Sequence, residues 1–303
     1  MTTLYLSLGT NLGHKQQNIT EALRLIEEHV GHVTQCATPI VTAPVGFVSN
    51  NSFLNTAAEV KTELPVREVL LRTQMIEQQM GRTEKSTDGQ YHDRIIDIDL
   101  LLYGNECLRS IFLQLPHIRL HERRFVLEPL AQIAPTLIHP VLGCTISKLL
   151  DVCDRCHVEN ITPAWVEQHG TADVLATLNH LLAQLTDNAP VYTATSLATL
   201  LSCHSTCVYA LITPEGKFAG TASLCYCPSP TGTKAWIEDV VIDQQERGKG
   251  LSRPLLHHLI MQAWMMGASS VNLTSRPERV AANALYRSMG FEQRHTNVYK
   301  LKL

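Results

Sequence analysis

No stretch of this 303-residue sequence stays apolar long enough to cross a bilayer, so no helical membrane span is expected in it. Nor is there a surplus of positive charge. The 25 Lys and Arg against 28 Asp and Glu leave a net charge of −3, with 17% charged residues, which argues against a polyanion-binding face and against nucleic acid as a partner. The opening residues, Met1 to Gly9, lack the basic start and cleavage pattern of an export signal, and the expectation is a cytoplasmic protein. Nine cysteines, an odd number scattered along such a chain, read as reduced thiols packed as small hydrophobes, and no disulfide is expected. No internal repeat or low-complexity tract is present.

Length then sets the frame, because 303 residues exceed one ordinary domain and each half can bury its own core. In the first half, Thr3 to Leu8 reads as a buried strand, and Ile19, Ala22, Leu23, Ile26 and Val30 recur at helical spacing. Strand-like runs Val33 to Thr42 and Phe53 to Thr62 follow, then a helix Val66 to Met80, a strand Ile95 to Tyr103 and a helix from Glu122 to Ala134. The order βαββαβ is the ferredoxin-like arrangement. Ala43 to Ser52 and Gly81 to His92 are long polar connections of the kind that close over ligands.

Periodicity fades between Asp151 and Thr171, which puts a domain boundary near Asp154, residues 1–154 and 155–303 being the two units, within about ten residues. Beyond it the sequence predicts a helix Val174 to Leu185, strands Cys207 to Thr213, Gly220 to Tyr226 and Ala235 to Ile242, and a helix after Gly250. A strand Val271 to Thr274, a helix Arg279 to Met289 closed by Gly290 and a last strand Asn297 to Leu301 complete the reading, an α+β chain overall. Cys153-Asp-Arg-Cys156-His157 matches a haem-attachment pattern, but that chemistry needs export and an axial partner. Zinc there would need two more ligands, and nothing in the spacing brings Cys203, His204 and Cys207 to it, so the motif reads as a chance linker sequence.

The chemistry of the first half is concentrated in Asp93-Arg94-Ile95-Ile96-Asp97-Ile98-Asp99. Side chains alternate along a strand, so Asp97 and Asp99 share one face while Ile96, Ile98 and Leu100 take the other. Their Cα atoms lie roughly 7 Å apart, a span that suits two magnesium ions about 3.5–4 Å from one another. A solvated strand face is the plain alternative, although aspartate is disfavoured in strands. Pro116 to Phe125 adds His117, Arg119, His121, Arg123 and Arg124, with Arg82 and Arg94 nearby in sequence, a cationic rim suited to a triphosphate.

With these segments, Gly9-Thr-Asn-Leu-Gly13, Thr42-Ala-Pro-Val-Gly46, Phe53-Leu-Asn55, Gln74 to Arg82, Asp93 to Gly104 and Pro116 to Leu127, the first half resembles the 6-hydroxymethyl-7,8-dihydropterin pyrophosphokinase family of folate synthesis over residues 1–150. The resemblance implies two Mg2+ on Asp97 and Asp99, and ATP as co-substrate among Gln74, Glu77, Arg82, Arg94, His117 and Arg123. It implies a pterin held by Asn55, near Thr42 and Val45, with its ring between Phe53 and Phe125. The family's Arg-x-Arg and Trp-Gly-Pro-Arg runs are replaced here by Arg82-Thr-Glu84 and Gln90-Tyr-His-Asp-Arg94, with Lys85, Tyr91 and Arg94 as stand-ins. No side chain stands out as general base, Asp97 being the candidate.

The second half offers Gln245-Glu-Arg247-Gly248-Lys249-Gly250, a glycine turn leaving a strand and opening a helix, where unpartnered N–H groups converge on an anion. Together with Trp236 to Ile242 before it and Asn283-Ala-Leu-Tyr286-Arg-Ser-Met-Gly-Phe291 after it, the turn is similar to that of the GCN5-related N-acetyltransferase family, best over Ala235 to Tyr299. The likeness implies acetyl-CoA as co-substrate, its diphosphate on the turn and its pantetheine arm along Val240, Val241 and Ile242. Asn283 would lie near the thioester, Tyr286 would protonate the leaving thiolate, and Glu238 is a candidate base, or else a cross-strand ion-pair member. A module that only binds acyl-CoA or supports assembly is the alternative, and the acceptor is an unspecified amine.

Overall fold

The computed structural model describes residues 1–82, 92–299 and 301. The expectations for Thr83, Glu84, Lys85, Gln90 and Tyr91 lie outside the described residues.

The first half opens with β1 (Thr2–Thr10), α1 (Lys15–His29), β2 (His32–Cys36), β3 (Ile40–Thr42), β4 (Phe53–Thr62), α2 (Val66–Gln79) and β5 (Asp97–Tyr103). The expected single strand from Val33 to Thr42 is two, because Pro39 lies between them and has no N–H for a ladder. The sheet runs β2-β4-β1-β5, with β3 also on β4 and every pairing antiparallel, which is the ferredoxin-like order. Alternation gives the sheet two different faces. Leu4, Leu6, Leu8, Val60, Ile98 and Leu100 pack with Ile19, Leu25, Ile26 and Ile76 under α1 and α2.

The opposite face carries Tyr5, Ala57 and Leu101. It is covered by α3 (Arg124–Ile133) and α4 (Ile146–Leu150), which follow a short hairpin of β6 (Leu108–Arg109) with β7 (Gln114–Leu115). The helix expected from Glu122 begins instead at Arg124, after a 3₁₀ turn Leu120–Glu122.

The second half contains β8 (His157–Asn160), α5 (Pro163–His169), α6 (Thr171–Leu185), α7 (Ala194–Leu201), β9 (Thr206–Ile212), β10 (Phe218–Cys227), β11 (Lys234–Ile242), α8 (Ser252–Met265), β12 (Ser270–Leu273) and α9 (Val280–Ser288). Its sheet order is β12-β11-β10-β9-β8, antiparallel except for the parallel pair β11 and β12. One face packs on α8 and the other on α5, α6 and α7. The last expected strand, Asn297 to Leu301, is corrected. Residues 291–299 and 301 have no regular structure, and Val298, Tyr299 and Leu301 are 80%, 89% and 83% exposed. Apolar content alone marked that segment, and a strand also needs a partner to fill its hydrogen bonds.

The halves share apolar surface through α8. Met261 is fully buried among Leu101, Leu127 and Leu130 of the first half, with Ile260 and Trp264 packed beside it. The Arg109 guanidinium lies over the Trp264 ring at 5.5 Å and donates to the Trp264 carbonyl at 2.7 Å. Met261→Ala is expected to cost ~2–5 kcal/mol of unfolding free energy. Urea unfolding followed by tryptophan fluorescence and by far-UV dichroism checks this, and a change below ~1 kcal/mol would deny the shared core. No helix among the described residues is long and apolar enough to cross a membrane.

Candidate active sites

Register assembles the first site. Asn55 on β4 pairs with Gly9 on β1, and Gly9 pairs with Asp97 on β5, so three strands present these residues in one row. Asp99 stands one step further along the same face, opposite Ser7. Gly9 has to be small, because a Cβ there would lie 2.8 Å from Asn55 Oδ1. Asn55 Nδ2 in turn donates to Thr42 Oγ1 at 2.8 Å, which fixes the amide with Oδ1 close over Gly9.

Two cavities open on this row. One of about 430 Å³ is bounded by Gln74, Glu77, Arg82 and His117. The other, a cleft of about 60 Å³, is bounded by Phe53, Asn55, Phe125, Thr42 and Val45. Among the described residues the two share Asp97 and Asp99 alone. Phe47, which the sequence did not single out, meets Phe53 edge to face at 6.1 Å and lines the cleft.

The expected cationic rim divides. Arg94 and Arg123 line the aromatic cleft, not the larger cavity, with Arg94 over Phe53 at 5.4 Å and Arg123 over Phe125 at 5.5 Å. His117 lines the larger cavity, and burial, helped by Arg123, lowers its pKa to about 4, so its imidazole is neutral. Arg124 turns away to Glu128 and Asp154, and His121 is buried toward the second half. Arg94 Nε is buried with no hydrogen-bond partner among the described residues.

Arg82 bridges Glu77 and Asp97, and Arg94 Nη2 lies 2.9 Å from Asp97 Oδ2. Burial raises the Asp99 carboxyl, and Asp97 beside it raises it further, against the pull of Arg123, Arg94 and Arg82. Two neighbouring acids that resist joint ionisation, with guanidinium groups already drawn to one of them, fit the donor set of hard divalent cations. Asp97 and Asp99 are the residues that would hold magnesium.

Glu77 has a second task. β5 is an edge strand, and the outward Ile98 N–H donates to Glu77 Oε1 at 2.8 Å. Burial raises the Glu77 pKa to about 7, opposed by Arg82 and reinforced by Asp97. Glu77→Ala is expected to lower stability by ~1–3 kcal/mol by stranding that N–H, whereas Glu77→Gln keeps an acceptor and should fall nearer the parent in urea unfolding. Equal losses would assign the effect to Arg82 pairing instead.

Sequence reasoning also missed a clamp on the segment that carries Arg94. Asn11 Nδ2 and Asn51 Nδ2 each donate to Asp93 at 2.6 Å, and the Arg94 N–H donates to Asn11 Oδ1 at 2.7 Å. Asn11 lies inside the Gly9 to Gly13 turn, but nothing in its spacing indicates a partner more than eighty positions away.

In the second half, Asp239 has φ of 54° at a bulge, where Asp239 and Val240 lie opposite Ala222 alone. The bulge bends β11 and redirects its backbone. Cavities of about 610 and 580 Å³ meet there, sharing Leu185, Val240, Arg279 and Tyr286. Glu238 lines the first, and Val241, Ile242, Arg247, Gly248 and Gly250 line the second. Gly248 and Gly250 have φ of 80° and 75°, which a side chain would disfavour. Gln245 and Lys249 lie outside that lining, and Lys249 Nζ pairs with Glu246 at 2.6 Å. Arg155, from the segment between the halves, lies against Gly250 and donates to the Lys249 carbonyl at 3.2 Å.

Burial raises the Tyr286 hydroxyl above its ordinary pKa, against the pull of Arg279, so it stays protonated at neutral pH. Burial, then Asp239, raises Glu238, and among the described residues no cation pairs with it. Asn283 lies on α9, three residues before Tyr286. Its amide donates to the Arg276 carbonyl at 2.8 Å and it lines a neighbouring cavity of about 1010 Å³ that Tyr286 also reaches. Cys153 and Cys156 are buried thiols with pKa values raised to about 12, mainly by burial, and are unpaired. Among the described residues they join no metal-competent group with Cys203, His204 or Cys207.

The fold is that of a two-domain α+β protein with separate cavities in each half. Residues 5–135 match the family model of 7,8-dihydro-6-hydroxymethylpterin-pyrophosphokinase (HPPK), and residues 176–291 match that of the Acetyltransferase (GNAT) family. The 2-amino-4-hydroxy-6-hydroxymethyldihydropteridine pyrophosphokinase of Porphyromonas gingivalis is 42% identical over 141 residues, 46% of this chain and 95% of that protein. The Aquifex aeolicus enzyme of the same name is 37% identical over 141 residues, 46% of this chain and 86% of its own length. A Trypanosoma brucei acetyltransferase structure is similar with 25% identity and a TM-score of 0.40, over 49% of this chain and 99% of that one. The chain belongs to the HPPK family through its first half and carries a GNAT acetyltransferase domain in its second.

Proposed function

We propose that the protein is a bifunctional transferase divided near residue 154. The first domain moves the β,γ-diphosphoryl unit of ATP to the hydroxymethyl oxygen of 6-hydroxymethyl-7,8-dihydropterin and releases AMP. The second moves acetyl from acetyl-CoA to an amine. The observation that carries the first reading is the meeting of two cavities at Asp97 and Asp99, a broad one rimmed by Gln74, Arg82 and His117 and an aromatic one with a fixed amide.

In this reading the pterin lies between Phe53 and Phe125, where offset stacking and the Asn55 amide orient it, and its hydroxymethyl oxygen points at the carboxylate row. The oxygen attacks the β-phosphorus, the bond from that phosphorus to the α-phosphate oxygen breaks, and AMP departs. Arg82 and Arg94 offset phosphate charge as they exchange Asp97 for the nucleotide. Magnesium, when held by Asp97 and Asp99, supplies charge compensation and in-line alignment. The hydroxyl proton passes to solvent or to Asp97.

For the second domain, the bulge at Asp239 and the turn at Gly248 and Gly250 support a diphosphate and pantetheine path ending at Tyr286, with Glu238 available to take a proton from an ammonium acceptor. Full-length protein with Mg2+, ATP and the hydroxymethyl dihydropterin should form AMP stoichiometrically with pterin diphosphate. Folded protein that forms none would overturn the first reading, and an amine panel with acetyl-CoA tests the second.

A further inference from the structure

A cluster of titratable groups lies where the two halves touch and belongs to neither site above. The 3₁₀ turn Leu120–Glu122 brings His121 and Glu122 against His258 of α8. One ligand atom from each lies within 4.8 Å of the others. His258 Nδ1 is 3.5 Å from Glu122 Oε2, and the two imidazole centroids are 6.3 Å apart.

An ion pair between Glu122 and His258 would account for two of the three residues but not for His121. That side chain is 7% exposed, and neither ring nitrogen completes a hydrogen bond among the described residues, although the Ile118 carbonyl acts on it. An imidazole buried with so little hydrogen bonding costs free energy unless something occupies the space beside it. Burial lowers its pKa to about 4, so the ring presents a neutral lone pair. Burial raises Glu122, but hydrogen bonds from His258 and Arg119 outweigh this and hold it at about 2, a carboxylate. Arg119 Nε takes Oε1 at 2.6 Å, which leaves Oε2 turned to the histidines.

We propose that His121, Glu122 and His258 form a zinc site that ties the two domains together. Two imidazole nitrogens and one carboxylate oxygen are a tetrahedral zinc set with its fourth position open to water. Magnesium and calcium prefer oxygen donors alone. Ligand atoms around zinc stand about 3.4 Å apart, against a spacing of no more than 4.8 Å among the three here. The surroundings suit the ion, with the Tyr209 ring edge-on to His258 at 5.3 Å and His139, whose Nδ1 accepts from Val141 and Leu142, fully buried nearby. Glu122 also holds Arg119, which lines the aromatic cleft, so the site touches the first catalytic pocket through one side chain.

The test uses full-length protein stripped with a chelator and kept in excess Mg2+, so that Asp97 and Asp99 are saturated. Zn2+ titration against a chromophoric chelator should show one equivalent, retained by Asp97→Asn and weakened ~10–100-fold by His258→Gln and by Glu122→Gln. Far-UV dichroism checks that each variant folds. Co2+ on the parent protein decides the matter independently of any variant. Visible bands of a tetrahedral ion without a thiolate charge-transfer band support the site. Thiolate bands, no uptake, or undiminished binding by His258→Gln overturns it.

Discussion

Asp97→Asn is expected to lower AMP formation by about 10³-fold while leaving the protein folded. The residue stands where two cavities join and accepts from both Arg82 and Arg94. An amide keeps its shape but not its charge, so the anchor for divalent ions and the orientation of both guanidinium groups are lost together. Losses of that order are what the removal of one preorganised electrostatic partner produces at a site of charge transfer. Pterin binding, read separately by fluorescence quenching, should change far less, because Asn55 and the two phenylalanines remain. A rate within a few-fold of the parent would remove Asp97 from any essential part.

The second large effect is expected at Tyr286→Phe. Tyr286 lines each of the cavities that meet at β11, stays protonated because it is buried, and packs edge-on to Phe291 at 5.9 Å, which fixes its ring. Removing the hydroxyl leaves the packing intact and the thiolate without a proton donor. Acetyl transfer to the best amine of a panel should fall ~10²–10³-fold, with the thermal shift produced by acetyl-CoA unchanged. Equal transfer by parent and variant would exclude the phenol as the acid. Binding by both with transfer by neither would turn the domain into a sensor of acyl-CoA.

Much of this was legible in the chain because strands and helices leave periodic traces. The alternation of Asp97, Ile98, Asp99 and Leu100 predicted a row of carboxylates backed by core, and the register of β1 with β5 reproduces it. The run from Thr3 to Leu8 identified a strand packed on both faces. What failed to register was information carried by distant partners. The Asn11, Asn51 and Asp93 clamp joins three loops, and the Glu77 contact with Ile98 depends on β5 being an edge. The resemblance implied Arg94 and Arg123 beside ATP, and their place on the aromatic cleft, over Phe53 and Phe125, depends on packing that their sequence neighbourhood does not show. Val298, Tyr299 and Leu301 suggested a strand, and among the described residues no strand includes them.

The burial of Met261 among leucines from the other half has a consequence for how the polypeptide can be divided. A chain cut near residue 154 would leave a bare, greasy saddle on one piece and a naked helix flank on the other. Such fragments should cling to one another or precipitate, so that neither catalyst is easily had without its companion.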